Sequence, residues 1–136
     1  MLCNLGIVIE RQGRPDEAQL QFESAVGLAR AHGDPIAEGQ YMGYLGLLHA
    51  RQGRHIEARQ TLTSSETLLR SASDAFGLGM LLTSRAEAYH LAGDTEAATV
   101  CLAAATAIAA EVGAGPASEI GLALKRVGAL IEPNRI

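Results

Sequence analysis

The chain of 136 residues carries only two cysteines, Cys3 and Cys101, far apart in sequence. They fit no metal-ligand spacing and read as reduced, small apolar side chains. Basic charge is also in short supply, with 11 Lys+Arg against 15 Asp+Glu and a net charge of −4. Nucleic-acid binding draws on counterion release by cations, so an acidic chain lacks that drive and no nucleic-acid partner is expected. Long apolar runs are missing too. The longest uncharged stretch, 97–110, has 14 residues, short of the ~20 that span a bilayer. The apolar start from Met1 to Ile9 has no basic flank and no small-residue cleavage site, and Glu10-Arg11 ends it. A soluble cytoplasmic protein with no membrane partner is expected.

The motifs of catalysis are equally scarce. Gly77-Leu78-Gly79 begins like a dinucleotide fingerprint but lacks the third glycine and a preceding strand. There is no Gly-x-x-x-x-Gly-Lys loop, and no Ser or Cys stands beside a plausible His base. A zinc site wants three or four converging ligands. Of the four histidines, His49 reads as a packed core residue, and His32 and His55 fall near helix ends, where exposure is expected. Glu87 and His90 lie one turn apart and read as a solvated helix pair. No catalytic residue, cofactor or metal ligand is expected, and the chain reads as a non-enzyme.

What the chain does contain is a repeat. Leu45-Gly46 through Gly53 to Glu57-Ala58 echoes Leu5-Gly6 through Gly13 to Glu17-Ala18, 40 residues earlier. It is echoed again by Arg85-Ala86 through Gly93 to Ala97-Ala98. Fixed-period self-similarity of this length marks a stacked array of one supersecondary unit. Apolar residues at helical spacing, with Gly, Pro and Asp at the breaks, predict seven helices and no strand. Pro15 and Pro35 suit first helical positions, Asp34 an N-cap, and Ser73 and Asp74 are both cap candidates for the fifth helix. Ile56, Ala58, Leu62, Ser65 and Leu69 are placed on one stripe of the fourth.

Small residues recur at Gly6, Gly46 and Ala86, then at Ala18, Ala58 and Ala98, and then at Ala25, Ser65 and Ala105. They predict close helix crossings, with Gly46 against Ala58 in the second unit. Ile120, Leu124, Val127 and Ile131 form one stripe of a final helix. It is expected to cover the sixth helix, including Val100, Leu102 or Ile108.

This pattern resembles the tetratricopeptide repeat. The resemblance rests on Leu45-Gly46, His49, Gly53, Glu57-Ala58, Leu62 and Ser65, and it covers residues 1 to about 113. It implies an all-α, right-handed superhelical array of antiparallel helix hairpins. The units are 1–33, 34–73 and 74–113, with a capping helix at 116–131 and a tail at 132–136, all in one domain. Arg85 departs from the pattern by replacing a leucine. The 40-residue period and the run Glu111 to Pro116 are similar to the helical-repeat tails of large bacterial multidomain regulators. The first helix is expected to be clipped by about a turn and a half. That points to the C-terminal part of a longer array or a gene model with a late start, with a short complete protein as the alternative. It also predicts either a homodimer through the N-terminal helix or fraying there.

The resemblance implies a protein- or peptide-binding scaffold whose first helices line a groove. A small-molecule sensor and a self-association module are the alternatives. The groove is expected to present Asn4, Ile7 and Arg11 from the first unit. The second unit adds Gln40, Tyr44, Leu47 and Arg51, and the third adds Thr83, Ser84, Glu87 and His90. A chaperone-tail-binding subgroup of the family grips a terminal carboxylate with Lys, Asn and Arg. The matching positions here are Cys3, Ile7, Tyr44, Met80 and Ser84, none of which can do so.

Overall fold

The computed structural model describes residues 2–132, and their side chains from Gly6 onward. Seven helices account for the regular structure of these residues: α1 (Leu2–Arg11), α2 (Pro15–Ala31), α3 (Pro35–Arg51), α4 (His55–Ser71), α5 (Ala75–Leu91), α6 (Thr95–Glu111) and α7 (Glu119–Ile131). From α2 to α6 each helix begins twenty residues after the last. The chain is an all-helical array of antiparallel hairpins. α1 packs on α2, α3 on α4 and α5 on α6, while α3, α5 and α7 lie side by side.

The turns repeat because their chemistry repeats. Residues 13, 33, 53, 93 and 113 are glycines with φ between 64° and 83°, the left-handed conformation that ends a helix at least cost to glycine. In each turn an amide reaches back five residues, as in Arg54 N–H to the His49 carbonyl at 2.9 Å and Asp94 N–H to that of Tyr89 at 2.9 Å. Asp34 and Asp94 then cap the following helices by accepting from the amides of Ala37 and Ala97, both at 3.1 Å. The turn before α5 differs. Ser73 takes the glycine position with φ 55°, and Asp74 holds the N-cap position without a side-chain cap bond. The Asp74 carboxylate instead accepts from Gln40 on α3 at 3.1 Å.

Within a hairpin the helices meet through the recurring small residues. A Cβ placed on Gly46 would lie 2.6 Å from Leu62 Cγ, and one on Gly6 would lie 2.6 Å from the Phe22 ring. The small residue of the first helix therefore packs under the large residue sixteen positions on. Ser65, where units one and three have alanine, is fully buried and donates to the Gly39 carbonyl at 2.6 Å. That bond satisfies a hydroxyl that would otherwise be costly to bury.

Some expectations need correction. Ile56 and Val100 are exposed, not packed. The buried stripe on α4 is Ala58, Leu62, Ser65 and Leu69, and Ile56 lies on the opposite face. The final helix starts at Glu119, not at 116, because Ser118 caps it by accepting from the Gly121 amide at 3.0 Å. Its Val127 and Ile131 pack on Ala86 and Ala98 and against Leu102, and Ile120 is fully buried. α7 thus sits over α5 as well as α6, leaving Val100 uncovered. His49 is buried, as expected. Burial, then the charge of Arg54, push its pKa down and keep it neutral. Cys101 is half-buried and free. The Cys3 side chain and the tail beyond Glu132 lie outside the described part of the chain.

Ser73 carries a testable consequence. An L-residue in the left-handed region costs ~1–2 kcal/mol, and glycine's extra freedom in the unfolded chain costs ~0.4–1 kcal/mol. The first effect wins, so Ser73→Gly should stabilise the fold by about 0.5–1 kcal/mol. Thermal unfolding should show a higher midpoint; an unchanged or lower midpoint contradicts the turn assignment.

Candidate functional site

α1, α3, α5 and α7 line one cleft of about 440 Å³, with Phe22 of α2 at its margin. α3, α5 and α7 run side by side, so residues one or two turns apart on each face the same space as α1 does. α1 brings Ile7, Glu10 and Arg11; α3 brings Tyr44, Leu47 and Arg51. α5 brings Met80, Thr83 and Ser84; α7 brings Ala123 and Arg126. Tyr44 is set by its neighbour: its ring stacks on Phe22 at a centroid distance of 5.9 Å and an interplanar angle of 13°.

A chain of ion pairs crosses this face. Arg51 Nη1 meets Glu10 at 3.0 Å, and its Nε donates to Glu87 at 3.0 Å. The other oxygen of Glu87 accepts from Arg126 Nη2 at 2.8 Å. Glu10, Arg51, Glu87 and Arg126 thus alternate in sign across α1, α3, α5 and α7. The carboxylates lie inside and the guanidinium groups outside. Side-chain exposure is 6% for Glu87 and 17% for Glu10, against 37% for Arg51 and 51% for Arg126. Burial pushes the Glu87 carboxyl up, but hydrogen bonds and charge from Arg51, and then from Arg126, outweigh it and hold the carboxyl below its ordinary value. Burial also works against the Arg51 charge, and Glu87 and Glu10 more than restore it.

The cleft brings together Ile7, Arg11, Tyr44, Leu47, Arg51, Thr83 and Ser84 of the expected groove, with Glu87 bound behind Arg51 and Arg126. Gln40 sits in the adjoining hollow with Tyr44 and Ser84, its amide committed to Asp74. The Thr83 hydroxyl is buried and donates to the Gly79 carbonyl at 2.9 Å. His90 does not line the cleft, and the Asn4 side chain lies outside the described residues. Glu87 is not the solvated partner of His90 that its spacing predicts; two arginines from other helices draw it inward. The sequence pattern missed Glu10 and Arg126. Glu10 read only as the end of an apolar run, and α7 was read from its apolar stripe alone.

A second, smaller charge cluster explains the departure at Arg85. Its guanidinium meets Glu66 of α4 at 2.8 Å and lies 5.8 Å from the centroid of the Tyr89 ring. An ion pair and a cation–π contact thus stand where the other units have leucine. The adjacent hollow, lined by Ala58, Leu62, Ala88 and Tyr89, holds only about 30 Å³. Among the described residues, no three His, Cys, Asp or Glu side chains converge to hold a metal ion, and no helix is long and apolar enough to cross a membrane.

A family model described as Tetratricopeptide repeat matches residues 1–71, and a second of the same description matches residues 79–104. No curated protein matches the sequence.

The position of Glu87 sets an acid response. In the unfolded chain its carboxyl titrates near 4.5, and in the fold it titrates lower. As pH falls from 4.5 towards the folded value, the unfolded chain takes up a proton that the folded chain refuses, so stability is lost. Glu87→Gln should remove that part of the loss. Urea midpoints measured from above pH 4.5 to well below it should fall less steeply in the variant than in the parent. Equal slopes would show that Glu87 is not held as a carboxylate.

Proposed function

The chain belongs to the tetratricopeptide repeat family, and we propose that it binds a protein or peptide segment in the cleft between its first helices. Arrays of this family are in general non-catalytic protein-interaction scaffolds. The observation that carries the reading is the composition of the cleft. Tyr44, Ile7, Leu47 and Met80 offer apolar and aromatic contact, and Arg11, Arg51 and Arg126 stand beside them. Aromatic residues, methionine and arginine are the types enriched at protein interfaces. At about 440 Å³ the cleft has room for several side chains of a partner.

We further propose that the chain is one repeat domain, serving as the interaction or sensory segment of a larger bacterial regulator. The support is the forty-residue recurrence and the run Glu111 to Pro116. A small inducer would need an enclosed apolar site, and the hollow beside Tyr89 holds about 30 Å³. That is an order of magnitude below the ~300 Å³ at which ligand pockets begin.

Binding energy in such a cleft concentrates in a few central anchors. Tyr44 is the expected anchor, so Tyr44→Ala should cost ~2 kcal/mol or more in binding of a peptide selected from a random library. Helicity by circular dichroism should be unchanged. Arg70, which pairs with Glu66 away from the cleft, serves as the control, and Arg70→Ala should leave affinity unaltered. Binders that ignore Tyr44→Ala but respond to Arg70→Ala would place the interaction elsewhere.

A further inference from the structure

We infer that the segment this cleft receives is acidic and amphipathic, with apolar side chains on the Tyr44–Met80 strip and carboxylates facing Arg11 and Arg126. The inference rests on the cleft being the binding site. It goes further, because a protein-binding groove can carry either sign of charge.

The chain as a whole is acidic, with a net charge of −4. Its cleft is not. The charged side chains in the lining are Glu10, Arg11, Arg51 and Arg126. Counting Glu87 behind them, three cations meet two anions, which leaves one net positive charge. The layering matters more than the sum. Both Glu side chains are largely buried, while the Arg51 and Arg126 side chains that neutralise them keep a third to a half of their surface in solvent. A partner approaching the cleft therefore meets guanidinium N–H groups first. Glu87 stands a layer behind, and Glu10, which lines the cleft, is held by Arg51.

The three arginines are not equivalent. Arg51 gives Nε, Nη1 and Nη2 to Glu10 and Glu87. Arg126 makes one contact, through Nη2, and is half exposed, so its remaining N–H groups have room for a second acceptor. Arg11 lines the same cleft, is exposed, and has no ion-pair partner among the described residues. The two cations able to take a new carboxylate thus stand on α1 and α7, the two flanking helices. The neutralised Arg51–Glu87 pair occupies the middle, beside Leu47 and Tyr44. A segment with apolar side chains at its centre and acidic residues towards its ends fits that order of charges. A basic segment would bring its cations against exposed arginines, and like charges brought together at an interface cost affinity and suppress wrong partners. Nucleic acid would meet the same arginines but leave the apolar strip unused.

The test is selection of a phage-displayed random peptide library on the intact chain. The enriched peptides are then measured against the parent, Tyr44→Ala, Arg11→Glu and, as a charge control away from the cleft, Arg70→Glu. The expected winners carry net negative charge beside Leu, Ile or an aromatic residue. Arg11→Glu should weaken them about five-fold or more, the scale of an exposed ion pair lost and reversed. Added salt should weaken their binding to the parent, and Arg70→Glu should leave it nearly unchanged. Neutral or basic winners that still lose affinity with Tyr44→Ala would overturn the acidic partner and keep the cleft. Acidic winners indifferent to Arg11→Glu would also overturn it. Winners that ignore Tyr44→Ala would remove the cleft itself. A single-stranded oligonucleotide that binds as tightly as the acidic peptides, with no response to Tyr44→Ala, would make the face a general anion site and overturn the proposal.

Discussion

Glu87 is a carboxylate almost out of water, and an unpaired charge at such depth would cost several kcal/mol. It is tolerated because Arg51 reaches it from α3 and Arg126 from α7. The pairing has consequences well beyond one residue. Each hairpin is held internally by helix crossings built on small residues such as Gly46. Successive hairpins join through apolar packing, with Leu48 of α3 against Ile9 and Phe22, and Leu78 and Leu81 of α5 against Leu62 and Leu69. The Glu10–Arg51–Glu87–Arg126 chain spans all four of these helices. It ties them together across the cleft, with Glu87 behind Arg51 and Arg126.

Much of the fold was legible because it rests on local chemistry repeated in register. Glycine at 13, 33, 53 and 93, with aspartate just after at 34 and 94, announces a helix stop and the next start. The period of the small residues announces the hairpin. Legibility ended where a position obeys a neighbour distant in sequence. Ser73 and Asp74 looked alike as caps, yet Gln40 on another helix draws Asp74 away, and Ser73 is left with the glycine conformation. Ile56 is apolar, but it lies two residues from Ala58 and so on the opposite face of α4, where it is exposed. The offset between Gly46 and Leu62 depends on how two helices cross, and spacing along one helix does not report it.

The cleft was legible in part for the same reason. Ile7, Arg11, Tyr44, Leu47 and Arg51 follow from the recurring position of the first helices, and the structure brings them together. Thr83 follows from the same rule, but its hydroxyl turns back to the Gly79 carbonyl, a common fate of helical threonine. Arg126 could not be found by recurrence, because α7 begins four residues late relative to the repeat. A polar residue opposite an apolar stripe is the signal that would have found it. Glu87 was read against its helical neighbour His90 because local pairs are what a sequence displays. Two arginines, 36 residues before it and 39 after it, are its partners.

The account stands on Glu87 and Arg51 acting as one unit, and a double-mutant cycle measures that directly. Unfolding free energies of the parent, Arg51→Leu, Glu87→Leu and the double variant give the coupling between the two side chains. Arg51→Leu alone should be the most damaging change, since it leaves Glu87 to Arg126 only. The double variant should recover part of that loss, with a coupling of about 1 kcal/mol or more. Additive losses would mean that the first helices hold their places without this pair, and that the cleft takes its shape from something else.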